Sequence, residues 1–545
     1  PEENANIIIP RLGIQSNSTL QIVEVTTQPV FSFERLNYRV DEYGNRSITI
    51  TILLPGGGGG DVWVDVGMGN PWYWGPLSAG SDYARPGADY TDMSQRVYFN
   101  NPNTTYMDIT IPILDDSLVE FNEDIPVYMY RSNNRGINPY ADYTTVTILY
   151  DEQPPGAEDR EWNRDRVPQT TPPFNLMPGA NNQVYSVAVQ PDNKTVIGGD
   201  FTAVNTIPRN RIARFNEDGS LDVNFVAQPN TGANGFISQV IIVPTNMPDA
   251  NKIIVAGGFS SFNGNLRNGI ARLNVDGSVD MTFNPGSGAN GPIWGVALQS
   301  DGKIIVGGEF TTFNDKPRAH IARLNSDGSL DMTFNPICGS DRNIWSVTVF
   351  EGTPGYPLIY IGGDFTLVNG EQRNSIARIN PDGTLDYSFN PGTGSDGPVY
   401  AIAVQSNGSA IIGGSFTEID SKARNNIARL NPDGSLDLTF NPGTDPNDAV
   451  YSIILRPGDE RAYIGGKFTS FNLTRRMGMV LLRSDGTLDT TFMDTAYNQF
   501  AGLIKTFSFE PNHFVRSIAL QADGNLMIGG SFTNIGGNFA SYLNN

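Results

Sequence analysis

Eight carboxylates in the front part of the chain lie where predicted strands end. They are Glu42, Asp89, Asp115, Asp116, Glu120, Glu123, Asp151 and Glu152. Loops at one pole of a β-sandwich can bring such side chains together, and a hard cation such as calcium takes about six to eight oxygen ligands. The pattern therefore favours a cation site, and the alternative is that these acids are solvated turn residues.

Aromatic residues form a second set with possible binding chemistry. Seven repeat units share one position on their predicted inner strand, occupied by Tyr185, Ser238, Trp294, Trp345, Tyr400, Tyr451 and Arg516. Five aromatics at one level of a channel would stack on sugars or on a partner peptide. The alternative is that they pack between repeat units.

Three further aromatics, Trp72, Tyr73 and Trp74, follow the glycine run Gly56–Gly60. If they are exposed, they would anchor an interface, because Trp and Tyr dominate binding hot spots. If they are buried, they would cap a core or a domain junction.

Catalytic residues are not indicated by any pattern. The two histidines, His320 and His513, occupy non-equivalent places in distant units, and there is no catalytic triad, zinc spacing or phosphate-binding loop. A hydrolase built on a repeat fold would need a unique acidic set on the inner strands, which the sequence lacks. We therefore expect a protein without enzymatic activity.

The elements that would position these residues come from a repeat. A Gly–Gly pair followed within two residues by Phe occurs seven times between residues 198 and 532, at steps of 50 to 64 residues. Such a period is typical of propellers or solenoids. The unit from Gly291 to Asn335 predicts strands over 293–298, 303–306, 320–324 and 330–334, and four strands make one propeller blade.

Charged residues repeat in step with the glycines. Arg214, Arg272, Arg323, Arg378 and Arg429 share one position, and Asp222, Asp280, Asp331, Asp386, Asp437 and Asp489 share another. A periodic Arg–Asp set predicts the same structural ion pair in every blade.

The repeated strings G-G-x-F-T, I-A-R-L-N and D-G-S-L-D-x-x-F-N-P-G resemble the delta-60 repeat, a bacterial β-propeller repeat. The resemblance covers about residues 173–545 and implies a surface or secreted protein with seven blades. The last unit lacks its final strand, whereas Phe174 stands where such a strand would end. We predict that the segment near Phe174 pairs with residues 540–543 and closes the ring.

The alternating segments between 25 and 152 predict an antiparallel β-sandwich. Its strings Ala88-Asp89-Tyr90, Ile113-Leu114-Asp115-Asp116 and Val146-Thr147-Ile148-Leu149 resemble the Calx-beta domain. That resemblance implies calcium binding by Glu42, Asp89, Asp115, Asp116 and Asp151. Ser117 and Tyr150 stand where strong sites carry a further acid, so the resemblance implies a single weakly held Ca²⁺.

Composition sets the remaining expectations for an all-β chain. The net charge of −21 argues against nucleic acid, and no apolar run is long enough to span a membrane. The predicted parts are an N-terminal arm (1–24), the Calx-beta-like sandwich (25–152), a Pro-rich linker (153–172) and the seven-bladed propeller (173–545).

These expectations give two function classes. The first is a non-enzymatic extracellular or cell-surface structural or adhesion protein, in which the sandwich binds calcium and the propeller presents a surface to a protein or glycan. The alternative is a structural subunit of a virion, such as a phage tail, or of a surface filament that contacts neighbouring subunits. A propeller hydrolase is the least favoured reading.

Overall fold

The structure is a computed structural model. It describes residues 29–35, 37–42, 46–69, 84–115, 123–139, 141–149, 179–205, 207–226, 231–336, 339–353, 356–493, 503–504, 513–532 and 534–535. Every regular element in these ranges is a β-strand, which confirms the predicted all-β class. The chain forms two compact units, one with the described residues up to 149 and one with those from 179 onward.

The first unit is a sandwich of eight strands. They are β1 (Ser32–Phe33), β2 (Asn37–Asp41), β3 (Ser47–Leu53), β4 (Trp63–Met68), β5 (Gln95–Tyr98), β6 (Tyr106–Pro112), β7 (Glu123–Ser132) and β8 (Tyr143–Leu149). One sheet has the order β1-β3-β6 and the other β2-β8-β7-β4-β5. All pairs are antiparallel except β2 with β8, which is parallel.

Alternating side chains fill the space between these two sheets. Ile50 and Ile52 of β3 and Val64 and Val66 of β4 are fully buried and belong to one core cluster. Successive side chains of a strand point to opposite faces, so this alternation fixes the register of both sheets. The predicted sandwich is confirmed for the described residues.

The second unit contains seven blades, numbered here in chain order. Their inner strands are Val184–Val189, Ile237–Ile242, Ile293–Leu298, Ile344–Thr353, Val399–Val404, Val450–Leu455 and Phe514–Leu520. Their middle strands are Thr195–Gly199, Ile253–Gly257, Ile304–Gly308, Tyr356–Gly363, Ala410–Gly414, Ala462–Gly466 and Leu526–Ser531. Blades 1 to 6 have the outer strands Ile212–Phe215, Ile270–Leu273, Ile321–Leu324, Ile376–Ile379, Ile427–Leu430 and Met479–Leu482.

Each of blades 1 to 6 also carries a two-stranded hairpin that the sequence did not predict. The hairpins pair Ala203–Val204 with Ile207–Pro208, Ser261–Phe262 with Asn265–Leu266, Thr312–Phe313 with Lys316–Pro317, Leu367–Val368 with Glu371–Gln372, Glu418–Ile419 with Lys422–Ala423, and Ser470–Phe471 with Thr474–Arg475. A further pair joins Leu503–Ile504 to Asn534–Ile535.

The predicted fourth strand of each blade is wrong in the described residues. In blade 3 it is reduced to a single bridge between Leu324 and Leu330. Asp331 Oδ1 accepts hydrogen bonds from the backbone and hydroxyl of Thr333, at 2.9 and 2.7 Å. This side chain-to-backbone bonding turns the chain and competes with a strand ladder.

The glycine pairs allow neighbouring blades to approach. A Cβ at Gly529 of blade 7 would lie 2.5 Å from Val187 Cγ2 of blade 1, so only glycine leaves room for that contact. Val187 N–H also donates to Ser517 Oγ of blade 7 at 3.0 Å. The inner strands contact one another in chain order, and the last contacts the first.

The ring of inner strands thus closes within the described residues. The predicted closing partners, Phe174 and residues 540–543, lie outside them, so that pairing stays a prediction. One detail of the repeat is corrected in blade 2. There the middle strand ends at Gly257, so Ala256 takes the place of the first glycine of the pair.

The predicted Arg–Asp pair is present in blades 1 to 5, and its Arg also donates to a backbone carbonyl of the next blade. In blade 4, Arg378 Nε lies 2.6 Å from Asp386 Oδ2, and Arg378 Nη1 donates to the carbonyl of Pro432 in blade 5 at 2.6 Å. The equivalent pairs are Arg214–Asp222, Arg272–Asp280, Arg323–Asp331 and Arg429–Asp437. Blade 6 has Leu481 at the Arg position, and its Asp489 pairs with Arg461 at 2.6 Å instead.

In the part of the chain that the structure describes, no helix is long and apolar enough to cross a membrane.

Candidate functional site

A β-bulge places one side chain of every inner strand at the same level. In blade 3, Ile293 pairs with Gly308 and Gly295 with Gly307, so that Trp294 is the extra residue. A Cβ at Gly308 would lie 2.1 Å from the carbonyl oxygen of Pro292, so the second glycine of the pair permits this bulge.

The same irregularity falls at the position that the sequence identified in all seven blades. The bulged residues are Tyr185, Ser238, Trp294, Trp345, Tyr400, Tyr451 and Arg516. The predicted equivalence of these residues is confirmed.

Two blades lack an aromatic residue at the bulge, and a Phe two residues earlier takes its place. Phe236 precedes Ser238 in blade 2, and Phe514 precedes Arg516 in blade 7. Sequence reasoning missed both residues. The signal was that an aromatic residue stands two positions before the bulge only in the two blades whose bulge residue is polar. Residues two apart on a strand share one face, which explains the substitution.

Together, seven aromatic side chains form a chain of ring contacts around the propeller. The centroid distances between successive rings run from 5.0 to 6.5 Å along Tyr185, Phe236, Trp294, Trp345, Tyr400, Tyr451 and Phe514. Offset and edge-to-face contacts at such distances are favourable. We call this set the aromatic ring.

The aromatic ring is not part of the cores between blades. Those cores contain aliphatic and Phe side chains of adjacent blades, such as Ile305 of blade 3 with Ile359 of blade 4, and none of them includes a member of the ring. Each of the seven side chains is half-buried. Each ring also contacts a ring of the neighbouring blade, so packing between blades and a binding role both stay predictions for the aromatic ring.

Arg516 reaches into this ring. Its guanidinium carbon lies 4.9 Å from the centre of the Tyr451 ring, a cation–π distance. Burial lowers the pKa of Arg516, and the hydroxyls of Tyr451, Tyr400 and Tyr185 act in the opposite direction. Since these three tyrosines belong to blades 6, 5 and 1, the guanidinium lies among the rings and not beside one blade.

Blades 1, 3 and 4 carry an acidic side chain directly after the glycine pair, namely Asp200, Glu309 and Asp364. Glu309 Oε1 accepts a 2.8 Å hydrogen bond from the indole of Trp294. Asp200 forms an ion pair with Arg211 at 3.0 Å, and it raises the pKa of Tyr185 alongside the larger effect of burial. The mouth of the channel is thus polar at its rim and aromatic within.

A cavity of about 770 Å³ lies at the other ends of the inner strands. Val189, Ile242 and Leu520, which line it, end or nearly end the inner strands of blades 1, 2 and 7, while the aromatic ring lies where these strands begin. Arg456 also lines this cavity and pairs with Asp459 at 3.7 Å.

The predicted calcium ligands that the structure describes lie at one end of the sandwich. The backbone N–H of Leu114 donates to the carbonyl of Asp89 at 3.0 Å, which places Asp89 beside the Asp115 segment. Glu42 directly follows β2, whose last residue pairs with Leu149 at the end of β8. Glu42 and Asp89 are buried and Asp115 is exposed.

Asp124 is a buried acid at this end that sequence reasoning missed. Its carbonyl accepts from Ala84 N–H at 3.1 Å, and its Oδ1 accepts from the hydroxyl of Thr147 at 2.7 Å. Asp89 Oδ2 is bonded to the backbone N–H of Arg85 and lies 3.8 Å from Arg85 Nε. These contacts bring carboxylates together but also occupy some of their oxygens.

The calcium prediction is neither confirmed nor contradicted by this geometry. Within the described ranges, no three His, Cys, Asp or Glu side chains are grouped so that they could hold a metal ion. Two of the five predicted ligands, Asp116 and Asp151, lie outside those ranges, as do Trp72, Tyr73 and Trp74.

The blades match a known family model. Seven segments fit a beta-propeller domain of unknown function (DUF5122): 190–225, 251–283, 299–334, 359–389, 405–440, 461–492 and 521–543. Each segment covers most of the repeat that positions one bulged residue. The description carries no function, and the delta-60 repeat stays a resemblance. The chain matches no curated protein.

Solved structures give distant similarities. The apo form of the Calx CBD1 domain is 17% identical over 23% of this chain and 99% of its own, with a TM-score of 0.19. The Calx CBD2 domain is 15% identical over 23% of this chain and 87% of its own, with a TM-score of 0.19. A DUF4784 family protein from Bacteroides caccae is 11% identical over 87% of this chain and 99% of its own, with a TM-score of 0.22.

Proposed function

We propose that this chain is a non-enzymatic binding protein of the cell surface or extracellular space, and that its propeller binds a protein or glycan ligand at the aromatic ring. The observation that carries the proposal is the row of seven half-buried aromatic side chains outside the blade cores, in which each ring contacts the next from Tyr185 to Phe514. Side chains that a core does not need, and that keep open faces, provide stacking surface for a ligand.

Binding at this ring would use parts that the repeat fold supplies already. The bulges hold five of the aromatic residues at one level. The two Phe residues supply a ring in the two blades where the bulge residue is polar. The site is therefore pre-organised, which lowers the conformational entropy lost on binding.

The sandwich would contribute a calcium site. Glu42, Asp89 and Asp115 lie at one pole of this unit, and Asp116 follows Asp115 directly in the sequence. A cation bound only by the folded state stabilises that state by mass action. The proposed Ca²⁺ thus acts as a stabiliser of the sandwich and takes no part in a reaction.

Binding can be tested with Trp294→Ala. The purified full chain would be titrated with a panel of oligosaccharides and peptides, and binding would be followed by calorimetry. We expect the variant to lose at least tenfold in affinity for any ligand of the wild type, because base- or sugar-type stacking on one ring contributes about 1–3 kcal/mol.

The matched control is Tyr356→Ala, at an exposed aromatic near the other end of its blade, which should bind as the wild type does. Equal affinity of the Trp294 variant and the wild type would contradict a ligand site at the aromatic ring.

A second function class is favoured by a different surface. Blades 1 to 5 expose a large apolar side chain directly after the repeated Asp, namely Val223, Met281, Met332, Tyr387 and Leu438. A periodic apolar series of this kind suits contact with neighbouring subunits of a virion or filament. Light scattering should show concentration-dependent assembly of the wild type and no assembly of the double variant Met281→Ser/Met332→Ser. A monomeric wild type would contradict this candidate.

A further inference from the structure

Arg516 differs from the repeated arginines of the propeller. Arg214, Arg272 and Arg378, for example, are buried and each forms an ion pair with an Asp of its own blade. Arg516 is half-buried and has no hydrogen bond or ion pair with any residue that the structure describes. Its contact there is the face of Tyr451.

A partly buried charge without a counter-ion is costly, so the surroundings of Arg516 bear on its role. The nearest rim acids of blades 1 and 6 are engaged elsewhere. Asp200 pairs with Arg211 at 3.0 Å, and Asp448 pairs with Lys467 at 3.6 Å. Five guanidinium N–H donors therefore remain for an anion that enters the channel, and the planar fork of Arg suits the two oxygens of a carboxylate.

Hydrogen-bond acceptors stand near the same place. Asp364 of blade 4 follows its glycine pair, as Glu309 does in blade 3, and its charge raises the pKa of Tyr400 together with the larger effect of burial. Asp364 Oδ1 is buried and accepts no hydrogen bond from the described residues. Glu309, whose side chain is exposed, is the rim carboxylate that a ligand hydroxyl can reach.

We propose that the aromatic ring binds saccharides that carry a carboxylate. Arg516 pairs with the sugar carboxylate, the aromatic faces stack on the sugar ring, and Glu309 accepts a sugar hydroxyl. This inference rests on the proposed function, and it adds the ligand class and the residues that select it.

The combination of groups favours an acidic sugar over an acidic peptide. A uronate or sialate unit offers a carboxylate, a flat apolar face and several hydroxyl donors within one ring. A peptide carboxylate satisfies Arg516 but supplies few hydroxyls for Glu309. The net charge of −21 opposes an anionic ligand little at long range, because salt screens exposed charges beyond about 8–10 Å.

The experiment compares probes that differ in the carboxylate alone. Trigalacturonate and sialyllactose would each be titrated against their own methyl esters, with binding read from tryptophan fluorescence of the full chain. We expect at least one acidic probe to bind tenfold or more tightly than its neutral counterpart. Equal affinity within both probe pairs would overturn the inference.

Two substitutions locate the preference. Arg516→Met should bind the acidic and neutral probes equally, whereas Arg516→Lys should keep part of the preference, because a point charge retains attraction without the bidentate geometry. Arg456→Met, at the cavity on the other side, is the matched control and should keep the full preference. If thermal melting shows that Arg516→Met is folded and the variant keeps the preference for acidic probes, the inference is overturned.

The outcomes also separate this inference from the proposed function. If neutral and acidic saccharides bind equally and Trp294→Ala abolishes both, the binding function stands and the selection by Arg516 is wrong. If only acidic peptides bind, the saccharide class is wrong and the ring is still a ligand site. If no saccharide or peptide binds, the proposed function itself fails.

Discussion

Replacing Arg378 by methionine tests whether the repeated Arg–Asp pairs hold the propeller together. Arg378 and Asp386 are 6% and 8% exposed, and Arg378 also donates to Tyr360 Oη at 3.0 Å and to Pro432 O at 2.6 Å. The Arg378→Met change keeps most of the side-chain volume over Phe389 but leaves Asp386 as a buried carboxylate without its counter-ion.

The expected cost follows from that orphaned charge. Removing one partner of a buried pair destabilises by about 3–5 kcal/mol, mostly because the remaining charge is uncompensated. Blade 4 is the informative place, since in blades 1 to 3 a Lys also contacts the Asp, at 3.4, 2.8 and 3.0 Å. Among the described residues, Arg378 is the cation that pairs with Asp386.

The measurement is urea denaturation of the full chain at pH 7, followed by circular dichroism. The midpoint should fall without a large change in slope, which identifies a loss of stability. The double variant Arg378→Met/Asp386→Leu should recover more than half of the loss, because an apolar pair replaces a buried ion pair at little cost. The control is Arg456→Met, whose exposed pair with Asp459 should contribute less than about 1 kcal/mol.

The pH dependence gives a second check on the same pair. Burial alone would raise the pKa of Asp386, but hydrogen bonds from Ser388 and Arg378 outweigh it and hold the pKa below its usual value. The wild-type contribution is therefore present above the unfolded pKa of about 3.9 and is lost as the pH falls through the lower folded pKa.

In Arg378→Met the pKa of the buried carboxyl should rise, so protonation relieves its cost. The difference in stability between wild type and variant should therefore shrink from pH 7 to pH 4. A single variant within 1 kcal/mol of the wild type at pH 7, or a double variant no more stable than the single, would refute the reasoning.

Three further predictions follow from other parts of the molecule. Gly529→Val should lower the stability by about 1–3 kcal/mol in denaturant titrations, since its Cβ would lie 2.5 Å from Val187 Cγ2 at the ring closure. Millimolar Ca²⁺ should raise the melting temperature of the wild type relative to EDTA, and less so in Glu42→Gln. Burial raises the pKa of Tyr451 and Arg516 lowers it, so Arg516→Met should shift the phenol titration to higher pH in ultraviolet spectra.

The sequence predicts the blades well because each blade repeats one set of local rules. Inner, middle and outer strands alternate clearly, and the residues after Asp327-Gly328 turn as expected, with Asp327 Oδ1 accepting from Ser329 N–H at 2.9 Å. The fourth strand was predicted wrongly because its apolar spacing looks like a strand. The Asp331 side chain disfavours a strand there, because its Oδ1 accepts a hydrogen bond from the backbone N–H of Thr333.

The candidate site was predicted only in part, and the reason is geometric. Equivalent positions reveal Trp294 and Tyr451. They do not show that Phe236 and Phe514 belong to the aromatic ring, because this depends on which strand face points inward at the bulge. The number of acids in the sandwich is likewise visible in the sequence. Whether Asp89 is held by Arg85 or left for a cation depends on loop contacts that no spacing reveals.

The repeat also explains where binding residues can be found in a protein of this kind. Positions that most blades share, such as the glycine pairs and the buried Arg–Asp pairs of blades 1 to 5, serve contacts between neighbouring blades. A residue that differs from its six equivalents does not serve those shared contacts between blades. Arg516 stands where the other blades have five aromatics and one Ser, at the level where all inner strands converge. The cation of Arg516 within the aromatic ring makes the channel mouth asymmetric. It therefore gives a ligand one preferred orientation in a scaffold whose symmetry would otherwise offer seven nearly equal ones.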